Sequence, residues 1–416
     1  MPTGSISRRD ILKASVLGGV TIAASARSVR GDDDTAPPVR IITRGPKFHW
    51  FGYYDKLEFD ATNRYVLGQE ADFEHRQPTP EDSISVGMVD LHDGDRWIEL
   101  GRTSAWCWQQ GCMLQWIPGS ESEVLWNDRE DGRFVCRILD VKSSKLRTIP
   151  NAIYALSPDG KTAVSCDFSR LNDTRPGYGY AGVPDPYFDD PAPEQSGVYQ
   201  VDLATGEQQM LFSLAEIASY GRPKATMKDA KHKFNHLLVN TDGTRFEFMH
   251  RWSGPHGRET RMFTAGLDGS ELRLIDDNGL TSHFIWRDPR HLLALSRQPS
   301  HGVRFYLFED GGKGKVEVIG ENAMTADGHV SYLPGAKWIL NDTYPQDGYQ
   351  YPYLYHMPTD RKISLGRFRA PAEYTGPWRC DTHPRFSRDG RMVVIDAPDA
   401  RTGRQLHLID ISEITV

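Results

Sequence analysis

The chain has few cysteines and little sequence with a helical repeat. Five cysteines occur among 416 residues, and no two of them form a C-x-x-C pair. This spacing excludes a zinc ribbon, and the odd number leaves at least one thiol free or bound to another group. Helical periodicity is nearly absent, with residues 212–220 as the main candidate. We therefore expect a chain built mainly from strands and turns.

Two further absences exclude whole classes of function. The net charge is −7 and no basic stripe is present, so a nucleic-acid partner is not expected. An anionic substrate stays open, because a local basic pocket can exist on an acidic protein. No G-x-S-x-G motif occurs, which argues against a serine hydrolase with a propeller cap.

The N-terminus reads as an export signal. Arg8 and Arg9 precede an apolar run and a small-residue cleavage site at 24–26, and "SRRDILK" resembles the bacterial twin-arginine signal. The apolar run is too short for a membrane span. We expect residues 1–26 to be removed after passage through the twin-arginine export machinery, residues 27–40 to be a flexible linker, and the mature protein to be periplasmic or secreted.

A strand–turn–strand pattern recurs seven times over residues 41–416. Each unit carries an apolar strand, a turn rich in Asp, Gly or Pro, and a second apolar strand. Seven units of about four strands predict an all-β, single-domain, seven-bladed β-propeller. A pair of β-sandwiches is the alternative, but it does not explain one repeated hairpin along the whole chain. The units begin at Leu57, Leu114, Tyr154, Leu237, Phe284, Val330 and Pro384.

Histidine recurs at one position of this repeat. Three residues before the strand residue that precedes each turn, the seven units carry Lys56, Met113, Ile153, His236, His283, His329 and His383. Four successive blades should therefore direct imidazoles towards the central channel at one face. Imidazole binds divalent transition metals and acts as a general base near neutral pH. The alternative is four separate histidines, each hydrogen-bonded within its own blade.

The loops on the same face carry arginines and tyrosines. The longest, residues 167–197, includes Tyr178 and Tyr180. Tyrosine stacks on sugar rings and arginine binds carboxylate or sulfate in a fork, so an anionic carbohydrate is the expected ligand. An ordinary capping loop is the alternative for any one residue. The expected substrate-binding residues are His250, Arg175, Arg170, Tyr344 and Lys56.

Several segments carry a family likeness. "FGYYDK", "FMHRW", "TSHFIW", "DGHVSY", "NDTYP" and "CDTHPRFS" resemble the oligogalacturonate lyases, a group of bacterial seven-bladed propellers. The likeness runs from about Phe48 to the C-terminus and is strongest from His236 onward. It implies cleavage of a uronate oligo- or polysaccharide by β-elimination, assisted by manganese held by histidines. Related ulvan lyases use histidine, tyrosine and arginine instead.

The resemblance also implies individual roles. His236 matches the proton-abstracting base, and His283 and His383 match metal-binding histidines. We add His329 to the metal site by its position in the repeat. Where the family has a further histidine and a glutamine, this chain has Cys380 and Asp381 as neighbours, and a thiolate ligand would favour zinc over manganese.

The remaining catalytic expectations follow from what β-elimination requires. Arg251 is the first candidate for an anion clamp and Arg175 the second. Tyr178 or Tyr180 is the expected donor of a proton to the leaving oxygen.

Two other functions stay open. A non-catalytic, TolB-like propeller that binds carbohydrate or protein needs no histidine ring. A propeller glycoside hydrolase would use paired carboxylates, for which Asp342 and Asp396 are available. Hydrolysis does not require four histidines, so the lyase reading is preferred.

Overall fold

The computed structural model describes residues 36–312 and 314–415. The predicted export signal and most of the predicted linker lie outside these residues. From Ala36 onward the chain is one compact unit. Within the described ranges, no helix is long and apolar enough to cross a membrane.

Seven four-stranded antiparallel sheets confirm the predicted all-β, seven-bladed propeller. Blades 1 to 3, in hydrogen-bonded order, contain β2 (Phe48–Trp50), β3 (Tyr65–Ala71), β4 (Ile84–Asp90) and β5 (Arg96–Thr103); β6 (Gln115–Trp116), β7 (Glu123–Glu130), β8 (Arg133–Asp140) and β9 (Lys145–Ile149); and β10 (Ala155–Leu156), β11 (Thr162–Cys166), β12 (Gly197–Asp202) and β13 (Gln208–Ser213).

Blades 4 to 6 follow the same order of strands. They contain β14 (Lys231–Val239), β15 (Arg245–Gly254), β16 (Gly257–Gly266) and β17 (Arg273–Gly279); β18 (Thr281–Asp288), β19 (His291–Gln298), β20 (Gly302–Glu309) and β21 (Val316–Val318); and β22 (Ser331–Tyr332), β23 (Trp338–Asn341), β25 (Tyr353–His356) and β26 (Arg361–Ser364). A separate ribbon pairs β24 (Tyr349–Gln350) with β27 (Phe368–Arg369).

Blade 7 joins the two ends of the described chain. Its strands are β28 (Arg385–Phe386), β29 (Met392–Asp399), β30 (Gly403–Asp410) and β1 (Val39–Ile41). Val39 pairs with Ile409 and Ile41 with His407, so the first strand completes the last blade. The sheet thus begins two residues before the predicted start of the propeller at residue 41.

Helix is confined to short segments in the described ranges. They are the α-helices Phe168–Thr174 and Leu214–Ser219 and the 3₁₀ turns Ala225–Met227, Met357–Thr359 and Gly376–Trp378. The second α-helix falls in the segment with helical periodicity. The first was not predicted; Asp167 caps it by accepting hydrogen bonds from the amides of Ser169 and Arg170.

The repeated turns form for local reasons. Between β28 and β29, the Ser387 hydroxyl donates to Asp389 at 2.6 Å, and the Gly390 amide donates to the Ser387 carbonyl at 2.8 Å. Gly390 has a φ of +71°, which a residue without a Cβ adopts at no steric cost. The Asp-Gly pair therefore closes the hairpin.

The core lies between neighbouring blades rather than at one centre. Leu340 and Leu354 of blade 6 pack with Val393 and Ile409 of blade 7, and all four side chains are fully buried. Burying an aliphatic side chain contributes roughly 1.5–3 kcal/mol. Because each interface is apolar, the first strands are fixed around the axis, and polar residues at their ends can meet there.

Candidate active site

Four histidines from four successive blades meet at the axis. The ring centroids of His236 and His283 are 5.9 Å apart, those of His283 and His329 4.3 Å, and those of His329 and His383 4.1 Å. None of the four residues is more than 4% exposed. The structure therefore brings the four histidines of the repeat together. They are not isolated within their own blades, which was the alternative.

Two of these histidines have an unusual backbone. His236 has a φ of +54° and lies where the register of β14 and β15 shifts, and His383 has a φ of +38° just before β28. Positive φ is uncommon for a residue with a side chain, and such strain clusters at functional sites. The bulge directs the ring of His236 towards the axis.

Two tyrosines of blade 1 lie among the histidines. The ring of Tyr53 is 5.2 Å from that of His236 and 5.5 Å from that of His383. Its hydroxyl is hydrogen-bonded to Nδ1 of His236 and lies 3.2 Å from Nε2. The ring centroid of Tyr54 lies 5.7 Å from that of His283 and 5.5 Å from that of His329. Sequence reasoning noted the "FGYYDK" segment but gave these tyrosines no role.

One buried and one partly exposed carboxylate fix two of the imidazoles. Nδ1 of His329 donates to the two oxygens of Asp342 at 2.9 and 3.0 Å, and Nδ1 of His283 donates to Asp327 at 2.9 Å. Thr382 also donates to Asp342. Such bonds fix the tautomer and leave Nε2 as the free ligand atom, as in many metal sites.

The surroundings of the histidines shift their pKa values in different directions. Burial lowers the pKa of His329, but Asp342 opposes this so strongly that its pKa ends above the ordinary value. Burial lowers the pKa of His236 and His383 well below the ordinary value, and nearby cationic groups lower it further. The ring of His236 is therefore neutral at neutral pH and able to accept a proton.

One group of side chains has the geometry of a cation site. Ligand atoms of His329, Asp381 and His383 all lie within 4.8 Å of one another, and all three residues are buried. Oδ1 of Asp381 has no hydrogen-bond partner, whereas Oδ2 accepts from Arg379 at 2.6 Å. An unpartnered buried carboxylate oxygen beside two imidazoles fits a divalent cation. His283 adjoins His329 but is not part of this group.

Cys380 is placed differently from the neighbouring Asp381. It is 4% exposed and outside the group of ligand atoms, and burial raises the pKa of its thiol. Its carbonyl accepts from Gln350 at 2.8 Å. The sulfur thus lies outside the candidate cation site, so this geometry does not support the thiolate ligand that would favour zinc.

Tyr178 lies between two arginines at the edge of the histidine cluster. Its hydroxyl accepts from Arg379 at 2.7 Å, and the guanidinium of Arg175 lies 4.4 Å from its ring centre. Burial raises its pKa, but Arg379 and Arg175 outweigh burial and bring the pKa to about 8. The ring is 6.4 Å from that of His236. A phenol with this pKa can exchange a proton near neutral pH.

Three other predicted residues have the following surroundings. The ring centroid of Tyr344 lies 5.5 Å from that of His329. Lys56 forms an ion pair with Asp55 at 3.0 Å and lies 5.1 Å from the ring of Tyr154. Arg251 donates to the carbonyl of Thr281 at 3.2 Å.

Three predicted residues have structural surroundings instead. Arg170 forms a buried ion pair with Asp185 at 3.0 Å and donates to four backbone carbonyls. Nδ1 of His232 lies 2.8 Å from Nε2 of His250, inside blade 4. Tyr180 is fully buried and stacks on Phe168 at 4.4 Å. None of the three contacts the histidine cluster, so we assign them no part in the chemistry.

Asp342 and Asp396, the carboxylates considered for hydrolysis, are both hydrogen-bonded to other groups of the protein. Asp342 holds His329, as described above. Asp396 accepts from the amides of Phe51 and Gly52, each at 3.1 Å, and from Arg385 at 2.9 Å. Neither is available as the free acid–base pair that a glycosidase needs.

Tyr53, Asp327 and Arg379 were not among the residues predicted from the sequence. Arg379 immediately precedes the quoted "CDTHPRFS" segment, which was the available signal. Together the described residues supply a neutral imidazole, a phenol of lowered pKa, a cation site and an arginine. This set suits proton abstraction next to a carboxylate.

Comparison with known proteins gives the fold. No protein-family model matches the sequence, and no curated protein matches it. An oligogalacturonate lyase in complex with manganese has a TM-score of 0.64 at 15% identity, over 92% of this chain and 95% of that chain. An oligogalacturonate lyase from Vibrio parahaemolyticus has a TM-score of 0.63 at 15% identity, over 91% and 95%.

Propellers of other activity are also similar. A puromycin-hydrolyzing peptidase from Mycobacterium tuberculosis has a TM-score of 0.52 at 15% identity, over 86% of this chain and 52% of that chain. At this level of identity the likeness is one of fold. The chain therefore shares the propeller of oligogalacturonate lyases, the family that its sequence segments resemble.

Proposed function

We propose that this protein is a polysaccharide lyase that cleaves uronate-containing oligo- or polysaccharides by β-elimination. The observation that carries the proposal is the meeting of four imidazoles at the propeller axis, beside Tyr178 and Arg379. The similarity to oligogalacturonate lyases supports the same reaction class. A divalent cation, manganese or zinc, is part of the proposal.

The difficulty of the reaction lies in the proton on C5 of the uronate. This proton is only weakly acidic, and negative charge builds on the adjacent carboxylate as it leaves. His329, Asp381 and His383 would hold a divalent cation, which would supply positive charge against that carboxylate. The guanidinium of Arg379, bonded to Asp381, adds a second positive group in the same place.

His236 is the proposed base. Its ring is neutral at neutral pH because burial lowers its pKa. It takes the C5 proton, the electron pair forms the C4–C5 double bond, and the bond between C4 and the glycosidic oxygen breaks. Tyr53 touches both ring nitrogens of His236 and is a positioning residue.

Tyr178 is the proposed acid. The leaving oxygen requires a proton, and Tyr178 carries a phenol whose pKa of about 8 leaves it mostly protonated at neutral pH. The phenolate left behind is stabilised by Arg379 and Arg175. The products are an unsaturated uronate and a sugar with a free hydroxyl, so no water is consumed.

The test is product analysis on a panel of uronate polymers and oligomers, with Mn²⁺ or Zn²⁺ supplied. We expect a rise in the ultraviolet absorbance of the conjugated uronate and a product lighter by one water than the hydrolysis product. His236→Ala should abolish the rise while binding persists. If wild-type protein binds a uronate but forms no unsaturated product, the TolB-like binding function replaces the lyase function.

We also propose that the protein is exported through the twin-arginine route and acts in the periplasm or outside the cell. The "SRRDILK" segment supports this proposal. Replacing both Arg8 and Arg9 by lysine should retain the protein in the cytoplasm, as measured by cell fractionation. Unchanged export of that variant would refute the route.

A further inference from the structure

Three cationic side chains meet beside the histidine cluster without a carboxylate partner. Lys233 of β14 lies directly opposite Arg251 of β15 in the strand register. Nζ of Lys233 donates to the carbonyl of Thr174 at 3.3 Å, next to Arg175 in the chain. Like charges opposite each other on paired strands destabilise a sheet. Some other group must offset this arrangement.

The protein itself does not supply that group. Across residues 36–312 and 314–415, none of Lys233, Arg251 and Arg175 forms an ion pair with a carboxylate, and Nε of both arginines has no hydrogen-bond partner. Glu247 is fully buried, but neither of its oxygens has a partner. Burial raises the pKa of Glu247 well above its ordinary value, and the charge of Arg251 only partly opposes this, so the ionised form of Glu247 is disfavoured.

Burial makes the unpaired charges costly. Lys233 is 5% exposed, and an unpaired buried ammonium is strongly disfavoured. Burial, together with the neighbouring charges of Arg175 and Arg251, lowers the pKa of Lys233 to about 7. These are the properties of a site whose counter-charge arrives with a ligand.

The cluster is separate from the proposed cation site. Lys233 and Arg251 belong to blade 4 and Arg175 to the long loop of blade 3, whereas His329, Asp381 and His383 come from blades 6 and 7. Tyr178 joins the two regions, because it contacts Arg175 on one side and Arg379 on the other. A chain of sugars bound across Tyr178 would place one anionic group in each region.

We propose that Lys233, Arg251 and Arg175 form a subsite for the anionic group of the sugar that adjoins the reacting uronate. This inference rests on the proposed lyase function and makes it more specific. The preferred substrate carries negative groups on consecutive sugars. A guanidinium fork and an ammonium suit carboxylate or sulfate equally, so the cluster recognises the charge.

The first experiment needs no knowledge of the sugar. Thermal unfolding is measured in low-salt buffer with and without sodium sulfate, for wild type, Lys233→Met and Lys145→Met, an exposed lysine of β9. Removing an unpaired buried charge should raise the Tm of Lys233→Met by roughly 2–4 °C. It should also abolish most of the stabilisation by sulfate, which Lys145→Met should keep. A sulfate response of Lys233→Met equal to that of wild type overturns the subsite.

The second experiment identifies the ligand class. In the His236→Ala background, calorimetry compares trigalacturonate with its fully methyl-esterified form. Adding Lys233→Met should reduce the affinity for the free acid by at least about ten-fold and leave the affinity for the ester unchanged. An equal loss for both ligands overturns the subsite.

The two proposals can fail separately. If wild type forms the unsaturated product and Lys233→Met distinguishes the free acid from the ester as well as the protein with Lys233 does, only the subsite is refuted. If the preference for the free acid depends on Lys233 but wild type forms no unsaturated product, the lyase function is refuted and the anion site stands.

Discussion

Asp342 holds the imidazole of His329, a proposed metal ligand, in one orientation. It accepts from both Nδ1 and the backbone amide of His329, and it is fully buried. Burial raises the pKa of Asp342, but His329 and Thr382 outweigh burial and bring the pKa below its ordinary value, so the carboxylate stays ionised. The imidazole is therefore held in the tautomer that presents Nε2.

Replacing Asp342 by Asn should weaken cation binding. The loss of the carboxylate frees the orientation of His329 and reduces its basicity, and such changes typically cost about 10–100-fold in metal affinity. Titration calorimetry with Mn²⁺ and Zn²⁺ measures the effect. Asp131→Asn, at an exposed turn with a φ of +49°, is the matched control. An unchanged affinity of Asp342→Asn would show that His329 is not a ligand.

Tyr53→Phe should separate positioning from binding. The ring remains against His236 and His383, but the hydroxyl bonded to His236 is removed. We expect kcat to fall by roughly ten-fold or more with little change in KM, because the base is misoriented rather than absent. Initial rates of unsaturated product report both constants. A rise in KM at constant kcat would instead place Tyr53 in substrate binding.

The long loop between β11 and β12 depends on one side chain. The guanidinium of Arg170 binds Asp185 and three carbonyls of the same loop, and it donates to the carbonyl of His232 in β14 at 2.8 Å. This loop carries Arg175 and Tyr178 to the axis. Arg170, which was predicted to bind substrate, thus fixes the loop that carries Arg175 and Tyr178.

Arg170→Met should destabilise this loop and the protein. Removal of one partner leaves Asp185 as a buried unpaired charge, at a cost of about 3–5 kcal/mol. Chemical denaturation measures the free energy of unfolding, and limited proteolysis should show cleavage within residues 167–197. Arg133→Met, at an exposed position of β8, should change neither. Wild-type resistance to proteolysis in Arg170→Met would contradict the anchoring role.

Closure of the ring joins distant parts of the chain at the site. Blade 1 supplies Tyr53 and blade 7 supplies His383, and β1 completes blade 7 next to blade 1. Although β1 has only three residues, it fixes the edge of the last sheet. The site therefore depends on a strand that contributes no side chain to it.

A chain that begins at Thr43 should be less stable than one that begins at Ala36. It lacks β1, whose backbone hydrogen bonds each contribute about 0.5–1.5 kcal/mol. We expect a lower Tm and weaker Mn²⁺ binding, measured by thermal unfolding and calorimetry. Equal values for the two chains would show that blade 7 holds its position without β1.

The repeat explains why the fold and the histidines were predictable. Each blade repeats one hairpin, so a position shared along the sequence becomes a position shared in space. His236, His283, His329 and His383 meet for that reason. The turn residues, such as Asp389 and Gly390, allow the repeats to be aligned from the sequence.

The supporting residues were not predictable by the same logic. Asp327 and Arg379 lie in loops outside the repeated hairpin, and Tyr53 reaches His236 across 183 residues of sequence. Cys380 and Asp381 are adjacent, yet only the aspartate has a ligand atom near His329 and His383. Sequence gives no signal for which of two neighbours points to the axis.

The most direct test of the central claim is mass analysis of the products formed from a uronate oligosaccharide, with Mn²⁺ supplied, by wild type and by His236→Ala. We predict unsaturated uronate products from wild type, each lighter by one water than the hydrolysis product, and none from the variant. Saturated products from wild type, or unsaturated products formed equally by His236→Ala, would contradict the claim that the imidazoles at the axis carry out β-elimination.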